Sequence, residues 1–210
     1  MKRLITLVLT SLPLLISAQT EKLIPYGNFE SWVTRNINES HIIGGNKKTL
    51  YEIGPELTIN GNTPYTPKGG SPWATSNVYA HVKTISKGSN AVFPDSNPAG
   101  GRCCKLTTIL DNIKVLGIIN MDVLVSGSIY LGYNIEPITS TDNPYGKMEM
   151  GIPSTDRPKT LRIDYRVEAP AYRQPIRATG FSKKNIGGKV VADVYILLHR
   201  RWEDADGNRY

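Results

Sequence analysis

The chain has 210 residues, a formal net charge of +7 and two cysteines. This length suits one domain that can bury a core without disulfide bridges. Cys103 and Cys104 are adjacent, and adjacent residues of a strand point to opposite faces, so the sequence does not favour a bridge between them. A cysteine nucleophile would need a base, and no histidine is spaced as its partner.

The N-terminal residues have the pattern of a secretory signal peptide. Lys2 and Arg3 precede an apolar run over residues 4–16, and Ser17 and Ala18 supply a small-residue cleavage site. The apolar run is shorter than the roughly 20 residues that cross a membrane core. We therefore predict a signal peptide over residues 1–18, export to the periplasm, cell surface or medium, and no transmembrane segment after cleavage.

The positive charge has to be interpreted in that compartment. Removing Lys2 and Arg3 lowers the formal charge to +5 (7 − 2). A basic balance suggests nucleic acid in a cytosolic protein, but export argues against that partner. The charge then fits acidic glycans, an anionic cell surface or simple solubility. A basic stretch over residues 157–184 is interpreted as a solvated face or as a patch for uronic or sulfated sugars.

Strand patterns dominate the mature chain, and helical periodicity is nearly absent. Residues 102–110 form one predicted strand, which pairs with residues 113–119 across a turn at Asp111 and Asn112. Residues 123–131 form another. Gly127 interrupts it, which indicates a bulge or a close backbone approach.

The clearest alternation lies in residues 159–167. Leu161, Ile163, Tyr165 and Val167 share one face, whereas charged residues share the other. Residues 189–200 are apolar on both faces, which predicts an interior strand. The predicted core therefore consists of the following side chains: Leu161, Ile163, Tyr165, Val167, Val194, Ile196 and Leu198.

Loops rich in Gly, Pro, Asn and Ser separate these strands, which predicts an all-β antiparallel sandwich or barrel. We expect one domain over residues 19–210. Asp206 and Gly207 form a hairpin signal, yet the chain stops at Tyr210. The apolar strand over residues 190–198 would then lack a partner and expose an edge, so the C-terminal strands are expected to be missing and the chain to be a fragment of a longer protein.

Several segments, in this order and at this spacing, are similar to the PCMD family of carbohydrate-associated domains in secreted proteins of polysaccharide-degrading gut bacteria. They are Gly27-Asn28-Phe29-Glu30-Ser31-Trp32, Pro72-Trp73-Ala74-Thr75-Ser76-Asn77, Gly101-Arg102-Cys103-Cys104-Lys105-Leu106-Thr107-Thr108, Ser126-Gly127-Ser128-Ile129-Tyr130-Leu131-Gly132, Gly151-Ile152-Pro153, Arg157-Pro158-Lys159-Thr160-Leu161, Arg162-Ile163-Asp164-Tyr165 and Ala192-Asp193-Val194-Tyr195. The resemblance covers about residues 23–210. It implies a jelly-roll β-sandwich like that of carbohydrate-binding modules. It also implies that the ligand is a carbohydrate, but it implies no particular reaction.

A structural Ca²⁺ is the one metal ion that the sequence suggests. In many carbohydrate-binding jelly rolls, a segment resembling residues 28–30 gives a Glu to such an ion, which makes Glu30 the candidate ligand. Ca²⁺ takes six to eight oxygen ligands, and one Glu is far from a complete site. The alternative is that Glu30 is an exposed or capping carboxylate. No motif requires a cofactor.

The candidate ligand-binding residues are Trp73, Asn77, Tyr133 and Tyr145. Aromatic rings can lie flat on the apolar faces of sugars, and Asn77 would supply a hydrogen bond. For Trp73 a buried structural role is equally open, because aromatic rings also build cores. Tyr133 and Tyr145 belong to the longest predicted loop, whose alternative role is to cover one edge of the sandwich.

The sequence favours binding over catalysis. A glycoside hydrolase needs two carboxylates about 5–10 Å apart in a cleft, and no paired motif is present. The candidate carboxylates would be Asp95, Asp142, Glu149, Asp156 and Glu168. We therefore predict a secreted, non-catalytic domain that captures an extracellular polysaccharide. The alternatives are a carbohydrate-active enzyme and a structural or adhesion module of the cell envelope.

Overall fold

The computed structural model describes residues 21–115, 119–140, 144–168, 176–178, 182–188, 191–200 and 204–207. The predicted signal peptide lies outside these residues. The strands are β1 (Trp32–Asn38), β2 (Lys47–Ile53), β3 (Leu57–Asn60), β4 (Trp73–Thr75), β5 (Val78–Val82), β6 (Ile85–Ser89), β7 (Val92–Ser96), β8 (Arg102–Leu106), β9 (Thr108–Val115), β10 (Ile119–Ser126), β11 (Ile129–Asn134), β12 (Met148–Met150), β13 (Ile176–Ala178) and β14 (Lys183–Asn185). Two 3-10 helices span His41–Ile43 and Pro144–Lys147. The predicted all-β class is confirmed, and the described residues include no helix that could span a membrane.

The first sheet has the strand order β2–β1–β3. β1 is antiparallel to β2, and Thr34 lies opposite Tyr51. β3 runs parallel to β1, so this sheet is mixed, whereas the sequence predicted antiparallel strands alone. Side chains alternate between the two faces of a sheet. Trp32 and Thr34 therefore share one face of β1, and Arg35 and Ile37 share the other.

The remaining strands pair antiparallel. β11 lies between β12 and β4, and β5–β6, β7–β8, β9–β10 and β13–β14 form two-stranded sheets. β2 packs against β4, β6 and β7. This packing of strands on strands agrees with a β-sandwich, while the jelly-roll connectivity stays a prediction.

The core lies in the N-terminal half of the chain. Trp32, Ile53 and Val92 form one buried cluster, and Ile37, Leu50 and Tyr79 form another. Each fully buried side chain of this size contributes about 1.5–3 kcal/mol of hydrophobic stabilisation. β1 and β2 supply four of these six side chains.

The predicted core of residues 161–198 is wrong. Residues 161–168 and 191–200 are described outside any strand. Their apolar side chains are exposed, from 38% at Leu161 to 77% at Tyr195. A strand buries an apolar face only where another layer covers it, and these segments lack such a cover among the described residues.

The predictions around residue 110 are confirmed in part. Asp111 and Asn112 lie inside β9, which pairs with β10, so the predicted turn at these residues is wrong. The break at Gly127 is confirmed, because it separates β10 from β11. A Cβ atom at Gly127 would lie 2.5 Å from the backbone N and O atoms of Thr107 and 2.6 Å from the O atom of Ala91. The close backbone approach predicted at this glycine is therefore present.

Candidate functional site

An open cleft of about 360 Å³ lies beside β1 and β2, at the start of β8. Four separate segments of the chain contribute to it. The lining residues are Trp32, Thr34, Tyr51, Glu56, Pro94, Asp95, Ser96 and Arg102. We call this site the Tyr51 cleft. It combines aromatic and proline rings with hydroxyls, two carboxylates and one guanidinium.

The apolar part of the cleft is held rigidly by the core. Trp32 is 2% exposed, and its Nε1 donates a hydrogen bond to the O atom of Phe29 at 2.7 Å. Tyr51 is half-buried beside the same core cluster. Its ring lies 6.2 Å from the ring of Phe93 at an angle of 55°. A ring fixed in this way loses little conformational entropy when a ligand packs on it.

The Arg102 side of the cleft is braced by two carboxylates. The Nη1 atom of Arg102 donates to Glu56 Oε1 at 2.5 Å and to the O atom of Glu30 at 3.3 Å. The backbone N–H of Arg102 donates to Glu30 Oε2 at 2.9 Å. These contacts hold the first residue of β8 in place, with its guanidinium at the cleft.

Asp95 is held on another side of the cleft. Its Oδ2 accepts from Lys105 Nζ at 2.9 Å, and its Oδ1 accepts from the backbone N–H of Ser96 at 2.8 Å. The hydrogen bond from Lys105 is the main cause that lowers the pKa of Asp95. The carboxylate is therefore ionised at neutral pH and suited to accept hydrogen bonds from hydroxyl groups.

The predicted metal ligand Glu30 braces the chain in the structure. Its carboxylate accepts from the N–H of Arg102, as described above, and a Cβ atom at Gly101 would lie 2.3 Å from Glu30 Oε1. No group of three or more His, Cys, Asp or Glu side chains in the described residues is arranged to hold a metal ion. These contacts match the capping role that the sequence left open for Glu30, and the Ca²⁺ site stays a prediction.

Asn77 lies in the interior, which corrects its place as a ligand-binding residue. It is 0% exposed, and its Nδ2 donates to the O atoms of Tyr51 at 2.7 Å and Val92 at 2.8 Å. Its Oδ1 accepts from the N–H groups of Ala91 at 2.8 Å and Val92 at 3.0 Å. No polar atom of the side chain is left for a ligand, so Asn77 has a structural role.

Two of the three predicted aromatic residues lie on strands of the β12–β11–β4 sheet, and the third lies in the segment before β12. Trp73 begins β4 opposite Leu131. It is half-buried, with its ring 5.5 Å from that of Phe29 and its Nε1 donating to the O atom of Pro25 at 2.9 Å. Tyr133 lies on β11 opposite Glu149 and is 48% exposed. Tyr145 belongs to the 3-10 helix before β12, and its side chain lies outside the described part of the structure.

The described carboxylates considered for catalysis lie at exposed positions, and several of them contact cations. Asp156 contacts Lys22 at 2.6 Å, and Glu168 contacts Arg166 at 2.9 Å, both at exposed positions. Glu149 is exposed on β12, and Asp142 lies outside the described residues. Of this set, Asp95 alone lines the Tyr51 cleft.

A buried ionic network, which the sequence did not indicate, lies on the opposite face of β1. Arg35 Nη1 donates to Glu52 Oε1 at 2.7 Å, and Arg35 Nη2 contacts Glu136 Oε2 at 2.5 Å. All three side chains are at most 3% exposed. Burial, and then the charge of Glu136, raise the pKa of Glu52 to about 8, against the lowering effect of Arg35.

The network also satisfies backbone and side-chain groups around it. Thr75 Oγ1 donates to Glu52 Oε2 at 2.8 Å. Glu136 accepts from the N–H groups of Tyr65 and Tyr79, each at 2.9 Å. Because the network joins β1, β2, β4 and β5 in the interior and does not line the Tyr51 cleft, we assign it a structural role.

Comparison with known proteins adds no family assignment. No protein-family model matches the chain, and neither a curated protein nor a solved structure matches it. The similarity to the PCMD family therefore stays a prediction.

Proposed function

We propose that this domain binds an extracellular carbohydrate in the Tyr51 cleft and does not cleave it. The observation that carries the proposal is the composition of the cleft. Sugars present apolar C–H faces together with many hydroxyl groups. The cleft offers the matching pair of surfaces, with rings from Tyr51 and Pro94 beside the carboxylates of Glu56 and Asp95.

The charges of the cleft support binding over hydrolysis. A glycosidase needs a carboxylic acid whose pKa is raised so that it can protonate the leaving group. The pKa of Asp95 is instead lowered by Lys105, and Glu56 is paired with Arg102. Glu52 has a raised pKa but is buried within the Arg35 network. The predicted signal peptide and the PCMD resemblance support the same substrate class and an exported location.

The test is a glycan array with the full chain, followed by calorimetric titration of any glycan that binds. Tyr51→Ala is expected to weaken binding roughly thirtyfold, because a central aromatic contact is worth about 2 kcal/mol. Asp95→Ala should weaken it by a similar factor, since hydrogen bonds to charged groups contribute about 1.5–3 kcal/mol.

Matched variants locate the site. Asp156→Ala removes another exposed carboxylate that is paired with a lysine, but it lies outside the cleft and should leave affinity unchanged. Tyr133→Ala removes an exposed ring from β11, the runner-up position. If Tyr133→Ala abolishes binding while Tyr51→Ala and Asp95→Ala do not, the site belongs on β11 and the cleft assignment is wrong. Release of reducing ends from the bound glycan would replace the binding function by the enzyme alternative.

A further inference from the structure

Residues 161–168 form an amphipathic segment that belongs to no sheet in the described structure. Leu161, Ile163, Tyr165 and Val167 are 38%, 42%, 75% and 58% exposed. Period-two alternation is the pattern of a strand with one face to be covered. In an extended conformation the segment would present this apolar face together with a row of backbone donors and acceptors suited to an additional strand.

The opposite face of this segment carries charges of both signs. Every second residue from 162 to 168 is charged, and the signs alternate. Arg162 and Arg166 are positive, whereas Asp164 and Glu168 are negative. The charged side chains of Arg162, Arg166 and Glu168 are 71–74% exposed. Arg162 contacts Glu21 at 3.7 Å and Arg166 contacts Glu168 at 2.9 Å. Exposed ion pairs of this kind are weak, so these side chains can exchange partners at little cost.

We propose that residues 162–168 pair antiparallel with the same residues of a second copy of this chain, with Tyr165 on the twofold axis. In this register Arg162 lies opposite Glu168 of the other copy, and Asp164 lies opposite Arg166. By symmetry each of these pairs occurs twice, which makes four pairs of opposite charge on one face. On the other face Ile163 lies opposite Val167, and the two Tyr165 side chains face each other.

Charge complementarity favours a second copy of residues 162–168 as the partner of this segment. Directly opposed side chains of opposite charge stabilise an antiparallel pair, and like charges destabilise it. A shift that places Asp164 on the twofold axis would instead oppose Arg162 to Arg166 and Asp164 to itself. Pairing with the other exposed segment, residues 191–200, offers at most one pair of opposite charge in any antiparallel register. The reason is that Asp193 and Arg200 are its only charged residues and are seven positions apart.

The proposed interface is small, and two-stranded pairing is marginal in water. The association is therefore expected to be weak, dependent on protein concentration and weakened by salt, which screens exposed charges. A twofold, self-complementary contact closes on itself, so it produces a dimer rather than an open chain of copies.

The decisive experiment is sedimentation velocity on the full chain with two charge-reversal variants. Asp164→Arg places Arg against Arg166 of the other copy, and Arg166→Asp places Asp against Asp164. Each variant alone is expected to lose dimerisation, by at least tenfold in dissociation constant. An equimolar mixture of the two should dimerise as well as the original chain, because each opposed pair then regains opposite charges.

The control is Lys184→Asp, which lowers the net charge by the same two units as Arg166→Asp, at an exposed position on β14 outside the register. It should not affect dimerisation. Circular dichroism should show the same fold for all variants, since the substituted residues are exposed. If the original chain stays monomeric at all concentrations, or if Asp164→Arg dimerises as well as the original, the proposal is overturned. The second result would show that the apolar face associates without this register.

The register has its own test, which is disulfide formation at the twofold axis. Directly opposed residues of antiparallel strands have Cα atoms 4.5–5.5 Å apart, a spacing that a disulfide accommodates. Tyr165→Cys should therefore form a covalent dimer on mild oxidation. Tyr195→Cys is the matched control at an equally exposed tyrosine, 77% against 75%, and should form much less. Equal cross-linking by both variants, or none at residue 165, would contradict the proposed register.

Discussion

Asn77→Ala is expected to destabilise the domain by about 4 kcal/mol or more. The side chain is fully buried and makes four hydrogen bonds to the backbone of β2, of β7 and of the residue before β7. Alanine would leave four buried backbone groups without these partners. Each such group costs roughly 1–3 kcal/mol, so even the lower end of the sum is a large share of the 5–15 kcal/mol that stabilises a typical domain.

Urea denaturation followed by tryptophan fluorescence measures this loss. Asn90→Ala is the matched control, because Asn90 is also buried but donates one hydrogen bond, to the O atom of Thr49 at 2.7 Å. Its Oδ1 has no hydrogen-bond partner among the described residues, so its replacement should cost about 1 kcal/mol. Equal losses in the two variants would refute the structural role of Asn77. A stable Asn77→Ala variant that no longer binds glycan would return this residue to the ligand site.

Two further predictions test the location of the core and the buried ions. Ile37→Asp should unfold the domain, since an unpaired buried charge costs several kcal/mol in order of magnitude. Ile163→Asp should barely change the melting temperature, because Ile163 is 42% exposed. The opposite ranking of the two variants in a thermal melt would place the core at residues 161–198. The raised pKa of Glu52 keeps it protonated in the folded state while it ionises in the unfolded state, so stability should fall as pH rises from about 4.5 to about 8, by on the order of 5 kcal/mol. Glu52→Gln should flatten that part of the curve of unfolding free energy against pH, and an unchanged slope in the variant would contradict the assignment to Glu52.

The strand class of this protein could be predicted from the sequence because it depends on local patterns. Short alternating segments, frequent Gly and Pro and the lack of helical periodicity all indicate an all-β chain. Gly127 was identified in the same way, since a glycine inside a strand pattern marks a close backbone approach. The pattern of residues 161–167 was also real, but alternation shows only that one face is apolar, not that another layer covers it.

The location of the core was decided by tertiary structure. β1 reads Trp-Val-Thr-Arg-Asn-Ile-Asn, which looks too polar for a central strand. Arg35 nevertheless lies in the interior, because Glu136 supplies a counter-charge and Glu52 accepts a hydrogen bond from it, both from other parts of the chain. A hydropathy pattern scores a buried ion pair as exposed, so the sequence did not predict the burial of β1.

The Tyr51 cleft could not be predicted from the sequence either. Its lining comes from residues 32–34, 51–56, 94–96 and 102, and no short motif contains them all. Trp73 and Asn77 belong to one segment that the sequence marks as a candidate ligand site. In the structure Trp73 packs against Phe29, and Asn77 is hydrogen-bonded to buried backbone. The sequence by itself determines which segments are extended and which side chains alternate, because those are properties of neighbours along the chain. Which faces are covered, which charges are paired and which residues share a cleft depend on contacts between segments far apart in the sequence, and only the tertiary structure brings those segments together.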